Sequence, residues 1–189
     1  MIMDESTRDR IPSREECYEL MARYSMLPNI AGHSRQVMRV SLAIVDNLKN
    51  GTAVNRDMVV AASLLHDITK TRSLETKERH DRSGGELLRE LGFTRIAEIV
   101  EQHVVFKNLD RQGRLEEREI VYYADKRVMH DRIVTIDERV HDLVQRYGMT
   151  DEIRNLILQN KSLILAVESK IAGFMKMDIH QAIQEIAAD

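Results

Sequence analysis

His33, the adjacent pair His66-Asp67, His103 and Asp125 each interrupt an apolar helical pattern. His33 stands one turn before Val37 on a stripe continued by Val40 and Ile44, so it points the same way as they do. His66 lies four after Ala62 and seven after Val59, at the end of the almost unbroken apolar run 58–65. His103 follows Ile99 by four, and Asp125 follows Val121 by four and precedes Val128 by three. Taken singly, an inward histidine reads as a hydrogen-bonded core residue and an inward aspartate as half of an ion pair. As a set they ask for more, because an ionised carboxylate taken out of water costs several kcal/mol unless a cation or several donors meet it. One bound cation would meet Asp67 and Asp125 together, since imidazole nitrogens and carboxylate oxygens are ligands for Zn²⁺, Mn²⁺ and Fe²⁺. Helix neighbours point about 100° apart, so His66 and Asp67 would grip such an ion from two sides.

His80 opens HDRSGGELLRELG, with Gly84 and Gly85 in the interior of the expected helix. Each glycine costs roughly 1 kcal/mol there against alanine, a cost that close backbone approach to a crowded site would offset. His80 itself reads either as a ligand to a second ion or as an exposed loop histidine.

The elements that must position these groups are helices. Helices are expected at 13–25 (capped by Ser13), at 33–49 after a break at Pro28 and Gly32, and from Asn55 through the apolar run. Others follow at 80–91, 94–104, 117–129, 134–147, 150–175 and 178–187, with polar loops at 69–79 and 107–116. Two prolines and eight glycines in 189 residues suit such an all-α bundle. The expected organisation is a flexible N-terminus at 1–12, a metal-binding helical core at 13–132 and C-terminal helices at 133–189.

Composition narrows the function classes. The net charge of -3, with cations scattered among acids, disfavours a dedicated nucleic-acid binder. The lone Cys17 excludes an intramolecular disulfide or a thiolate zinc cluster and reads as a small core residue. No run approaches the roughly 20 apolar residues of a membrane span, and the charged start lacks a secretory layout, so a cytoplasmic protein is expected.

In order and helical setting, His33, His66-Asp67 and Asp125 resemble the H…HD…D signature of the HD-domain superfamily of metal-dependent phosphohydrolases. HDITK at 66–70 is similar to the family's HDIGK, and IVYYADK at 120–126 to its last motif. His80 and His103 are similar to the extra histidines of the two-metal branch, which includes bacterial symmetrical diadenosine tetraphosphate hydrolases and cyclic-dinucleotide phosphodiesterases. The GYP motif of the phosphodiesterases is absent, and Val104 stands where the hydrolases commonly carry a polar or histidine residue.

The resemblance implies an HD-domain bundle with additional C-terminal helices, and one or two divalent ions (Fe, Mn, Zn, Co or Ni) per chain. His33, His66, Asp67 and Asp125 would hold the first ion, and Asp67 would bridge to a second held by His80 and His103. Such ions lower the pKa of bound water, and a pair roughly 3.5 to 4 Å apart clamps a phosphoryl oxygen. The implied activity is hydrolysis of a phosphate ester or anhydride of a small molecule, a nucleotide foremost, with Asp67 and Lys70 as the catalytic residues. Lys70 would place positive charge on the transferring phosphoryl group, or else cap the preceding helix. Arg72, Arg82 and Lys126 are further candidates to contact the substrate. A regulatory domain that binds a nucleotide without turnover and a single-metal nucleotidase are the competing readings. Ile153, Leu156, Ile157, Leu163, Ile164, Val167 and Ile171 would either cover the core or form a homodimer face. His130, His141, His180 and the arginines near them read as solvated.

Overall fold

The apolar run at 58–65 becomes the centre of the molecule, in a computed structural model that describes residues 10–187. Helix α3 (Arg56–Leu65) is buried from Met58 to Leu65, which accounts for its lack of a polar face. Asn55 caps it, the side chain accepting from the Met58 amide at 3.0 Å, while the Asn55 amide donates to Glu117 Oε1 at 2.8 Å. Asn55→Ala is expected to lower stability by about 1 kcal/mol in urea unfolding, the usual cost of an N-cap.

Around α3 pack α1 (Arg14–Arg23), α2 (Pro28–Val45), α6 (Thr94–Val100) and α7 (Glu117–Lys126). Helix α5 (His80–Glu90) packs on α6, and the short α4 (Lys70–Thr76) touches α5. On the outer side of α7 lies α9 (Asp151–Phe174), which also carries α8 (Ile136–Tyr147), while α10 (Ile179–Ala187) packs on α2. The fold is all-α, as the periodicity predicts, apart from one small antiparallel hairpin of β1 (Val128–Met129) and β2 (Arg132–Ile133).

Several local expectations change, among them the ends of α2 at Val45 and α6 at Val100, short of the 49 and 104 expected. Pro28 starts α2 instead of breaking the chain: its fixed φ suits the first turn, where no amide donor is needed. His33 consequently lies inside the helix. Residues 70–76 form α4, a helix with no buried residue and hence no apolar period to read, closed by Lys77 at φ 61°. Its Thr71 hydroxyl accepts from the Leu27 amide at 3.0 Å. The helix expected to run to 129 stops at Lys126, because the chain turns into the hairpin with His130 at φ 58°.

The flexible segment expected at 1–12 lies, up to residue 9, outside the described residues; Arg10 pairs with Glu16 and stands over the Phe93 ring. On α9, Ile164, Val167 and Ile171 are buried and Ile157 and Leu163 pack partly on the core, while Ile153 and Leu156 are exposed. Burial pushes the Cys17 thiol up to about 12, which leaves it inert at neutral pH. Among the described residues no helix is long and apolar enough to cross a membrane.

Candidate metal centre

Five structural elements deliver the six residues. His33 comes from the second turn of α2, His66 and Asp67 from the turn that ends α3, His80 from the first position of α5, His103 from just beyond α6, and Asp125 from the last turn of α7. Two local features bring the turn and α5 together. Thr69 donates its hydroxyl hydrogen bond to the His80 carbonyl at 3.0 Å and meets Ser83 Oγ at 2.9 Å. Gly84 lets α5 approach: a Cβ there would stand 3.3 Å from Val100 and 3.5 Å from the Thr69 hydroxyl.

Three of the imidazoles are oriented by the same device. The Nδ1–H of His33 donates to the His130 carbonyl at 2.9 Å, that of His66 to Ser63 at 2.8 Å, and that of His103 to Val100 at 2.6 Å. A carbonyl can only accept, so in each neutral ring the Nε2 lone pair is the free end and points into the cluster. His33 Nε2 lies 2.9 Å from Asp125 Oδ1, and His66 Nε2 lies 3.6 Å from the same oxygen and 3.4 Å from Asp67 Oδ2. The other Asp67 oxygen, Oδ1, is 3.2 Å from His80 Nε2 and 3.4 Å from His103 Nε2, and these two nitrogens are 3.2 Å apart.

With these three rings neutral, their Nε2 acceptors face carboxylate acceptors, so each contact needs a shared proton or a cation. His66 Nε2 and Asp67 Oδ1 are both buried without a hydrogen-bond partner, a costly arrangement in a core unless a cation or proton stands between them. Burial opposes ionisation of both aspartates, but the charges of His66 and Lys70 hold Asp67, and that of Lys126 with the His33 hydrogen bond holds Asp125, well below the ordinary carboxylate range. Burial likewise lowers His103. Against burial, the same carboxylates draw His66 upward, so a proton sits in the cluster where a cation would go; once a divalent ion displaces it, two ionised carboxylates and imidazole lone pairs form the donor set of a metal site. His33, His66 and Asp125 form one compact group and His66, Asp67 and His103 another, with ligand atoms within 4.8 Å of one another in each.

A family model described as HD domain matches residues 30–130, just over half of the chain. The chain belongs to the HD-domain family. All six cluster residues fall inside the matched segment, and HD domains are in general metal-dependent hydrolases. Neither a curated protein nor a solved structure matches the chain.

The remaining expected contacts divide. Lys70 is the first residue of α4, not a cap of α3, and its ammonium donates to Asp67 Oδ2 at 2.7 Å beside a cavity. Lys126 is buried, donating to Asp125 Oδ2 at 2.6 Å and to the His103 carbonyl at 2.8 Å, so it positions two members of the cluster. Arg72 is exposed and spent on Glu78 at 2.6 Å, and Arg82 lines a separate groove with Arg79 and Lys107; neither borders the cavity at the HD cluster. That cavity is bordered instead by His130, Arg139 and Arg146, residues that read from sequence as solvated. The spacing of 139, 143, 146 and 147 on one face of α8 was the available signal.

Proposed function

We propose that this HD domain hydrolyses a phosphate ester or anhydride of a small molecule, with a nucleotide as the foremost candidate. The observation that carries the reading is the pair of buried, unpartnered atoms His66 Nε2 and Asp67 Oδ1 at the centre of the His/Asp cluster. His33, His66 and Asp125 would hold one ion, and His80 and His103 a second, with the two oxygens of Asp67 facing the two groups. Bound ions of this kind supply hydroxide near neutral pH and draw charge from phosphoryl oxygens.

The chain's own contribution is positioning. Three backbone carbonyls fix the imidazole tautomers, and Lys126 holds Asp125 against His103. Lys70 sets an ammonium at the cavity edge, where negative charge on the phosphoryl oxygens would be stabilised. Hydrolysis joins a water oxygen to phosphorus and breaks the bond to the leaving oxygen, which gains one proton.

A single-ion nucleotidase is the second reading, favoured by His80, whose side chain is 24% exposed against 3% for His103. Elemental analysis of the purified protein, then a screen of phosphate esters and nucleotides with the retained metal, tests the proposal. His80→Ala is expected to lower the content from two ions to one per chain. A single ion in the parent, unchanged by that substitution, would establish the second reading, and no turnover of any phosphate ester or anhydride would overturn both.

A further inference from the structure

We propose that Arg139 and Arg146 form a binding site for a second phosphate, so that the substrate is a phosphoanhydride and not a lone phosphomonoester; this rests on the hydrolase reading above. Ile136 and Val140 bury one side of α8, which leaves Arg139, Leu143, Arg146 and Tyr147 on the side that borders the cavity. The same cavity is bordered by His33, Asp67 and Lys70, so α8 and the HD cluster share one recess. A phosphoryl group under attack must sit against the cluster. Groups on α8 are then placed to meet what is attached to it.

The charges that border the cavity favour an anion, with Lys70, Arg139 and Arg146 set against the single carboxylate of Asp67. Asp142 is the one carboxylate serving both guanidiniums, with Oδ1 2.8 Å from Arg146 Nε and Oδ2 3.3 Å from Arg139 Nη1. It does not border the cavity, so it steadies the two arginines from the side while their positive charge remains available. Arg146 also donates to His130 Nε2 at 2.9 Å. Arg139 Nε is buried with no hydrogen-bond partner, a donor whose desolvation an anion would offset. Guanidinium matches phosphate in two-point geometry better than any other side chain. At about 190 Å³ the cavity is smaller than the roughly 300–1,000 Å³ of ordinary small-molecule pockets, so it suits the compact charged part of a substrate and leaves the rest outside. Both arginines lie on α8, beyond the segment 30–130 that the family model matches.

Calorimetric titration of the metal-loaded full chain with imidodiphosphate, a non-hydrolysable diphosphate, and with inorganic phosphate tests this site. Imidodiphosphate is expected to bind at least about tenfold more tightly than phosphate, and Arg139→Gln and Arg146→Gln each to weaken it by about 10- to 100-fold, the value of a hydrogen bond to a charged group. Phosphate affinity should move by less than about threefold, and metal content should be unchanged. Arg146 is the more exposed of the two, so Arg146→Gln reads the site even where Arg139→Gln disturbs α8. Equal affinity for the two ligands in the parent protein, or imidodiphosphate binding that survives both substitutions, would overturn the assignment. Because the readout is binding, a failure to hydrolyse any phosphate ester or anhydride would remove the hydrolase reading and leave this result to be judged separately.

Discussion

Asp67→Asn is expected to cost the protein most of its bound metal and more than about 100-fold in phosphohydrolase turnover, the upper end of what losing a mere supporting residue costs a metal site. The amide is nearly isosteric, so helical content by circular dichroism should hold. What changes is charge. Asp67 is the one group whose two oxygens face different parts of the cluster, Oδ2 toward His66 and Lys70 and Oδ1 toward His80 and His103. A neutral amide offers one weak acceptor in place of two anionic oxygens, and its NH₂ must point either at the Lys70 ammonium or at the imidazole lone pairs. Elemental analysis beside a turnover assay separates the consequences. Full metal content with activity reduced less than tenfold would mean that Asp67 is an ordinary buried partner of Lys70.

How much of this could be read beforehand depended on where each residue's partners lie. His33, His66, His103 and Asp125 announced themselves because a polar group on an apolar stripe is visible within one helix, and stripes on several helices must converge on one core. Whether they bind metal is a matter of chemistry that the convergence supports and experiment decides. Lys126, one of three unranked substrate candidates in the sequence, has partners that only the fold brings together. Its ammonium folds back to Asp125 Oδ2 and reaches the His103 carbonyl, a partner 23 residues away in sequence. Arg146 is exposed and Arg139 half-buried, close to the solvated reading of the arginines near DERVHD; what the sequence does not show is that both border a cavity completed by α2 and the turn after α3. His130 is exposed, as expected, while its main-chain carbonyl orients His33, a contribution that residue type does not encode.

The largest stability effect should lie away from the cluster, at Lys170. Its ammonium is 2.7 Å from Glu119 Oε1, with side chains only 3% and 0% exposed, and this pair joins α9 to α7. Glu119 is doubly committed, because its Oε2 accepts from the Glu116 amide at 3.0 Å and closes the capping box of α7. Lys170→Met keeps most of the volume and leaves the carboxylate buried without its cation, which costs about 3–5 kcal/mol. For a chain of this size that is a fall in Tm of roughly 6–20 °C. Adding Glu119→Gln should recover much of the loss, since it removes the stranded charge while Gln can still accept the capping hydrogen bond. Recovery in the double variant separates the electrostatic cost from lost packing, which Glu119→Gln could not repair. Asp125 stands on the same helix, six residues beyond Glu119, so metal content should hold below the melting transition and fall with it. A loss under about 1 kcal/mol in Lys170→Met, the range of an exposed ion pair, would show that water reaches Glu119 and that α9 is not fastened to α7 by this contact.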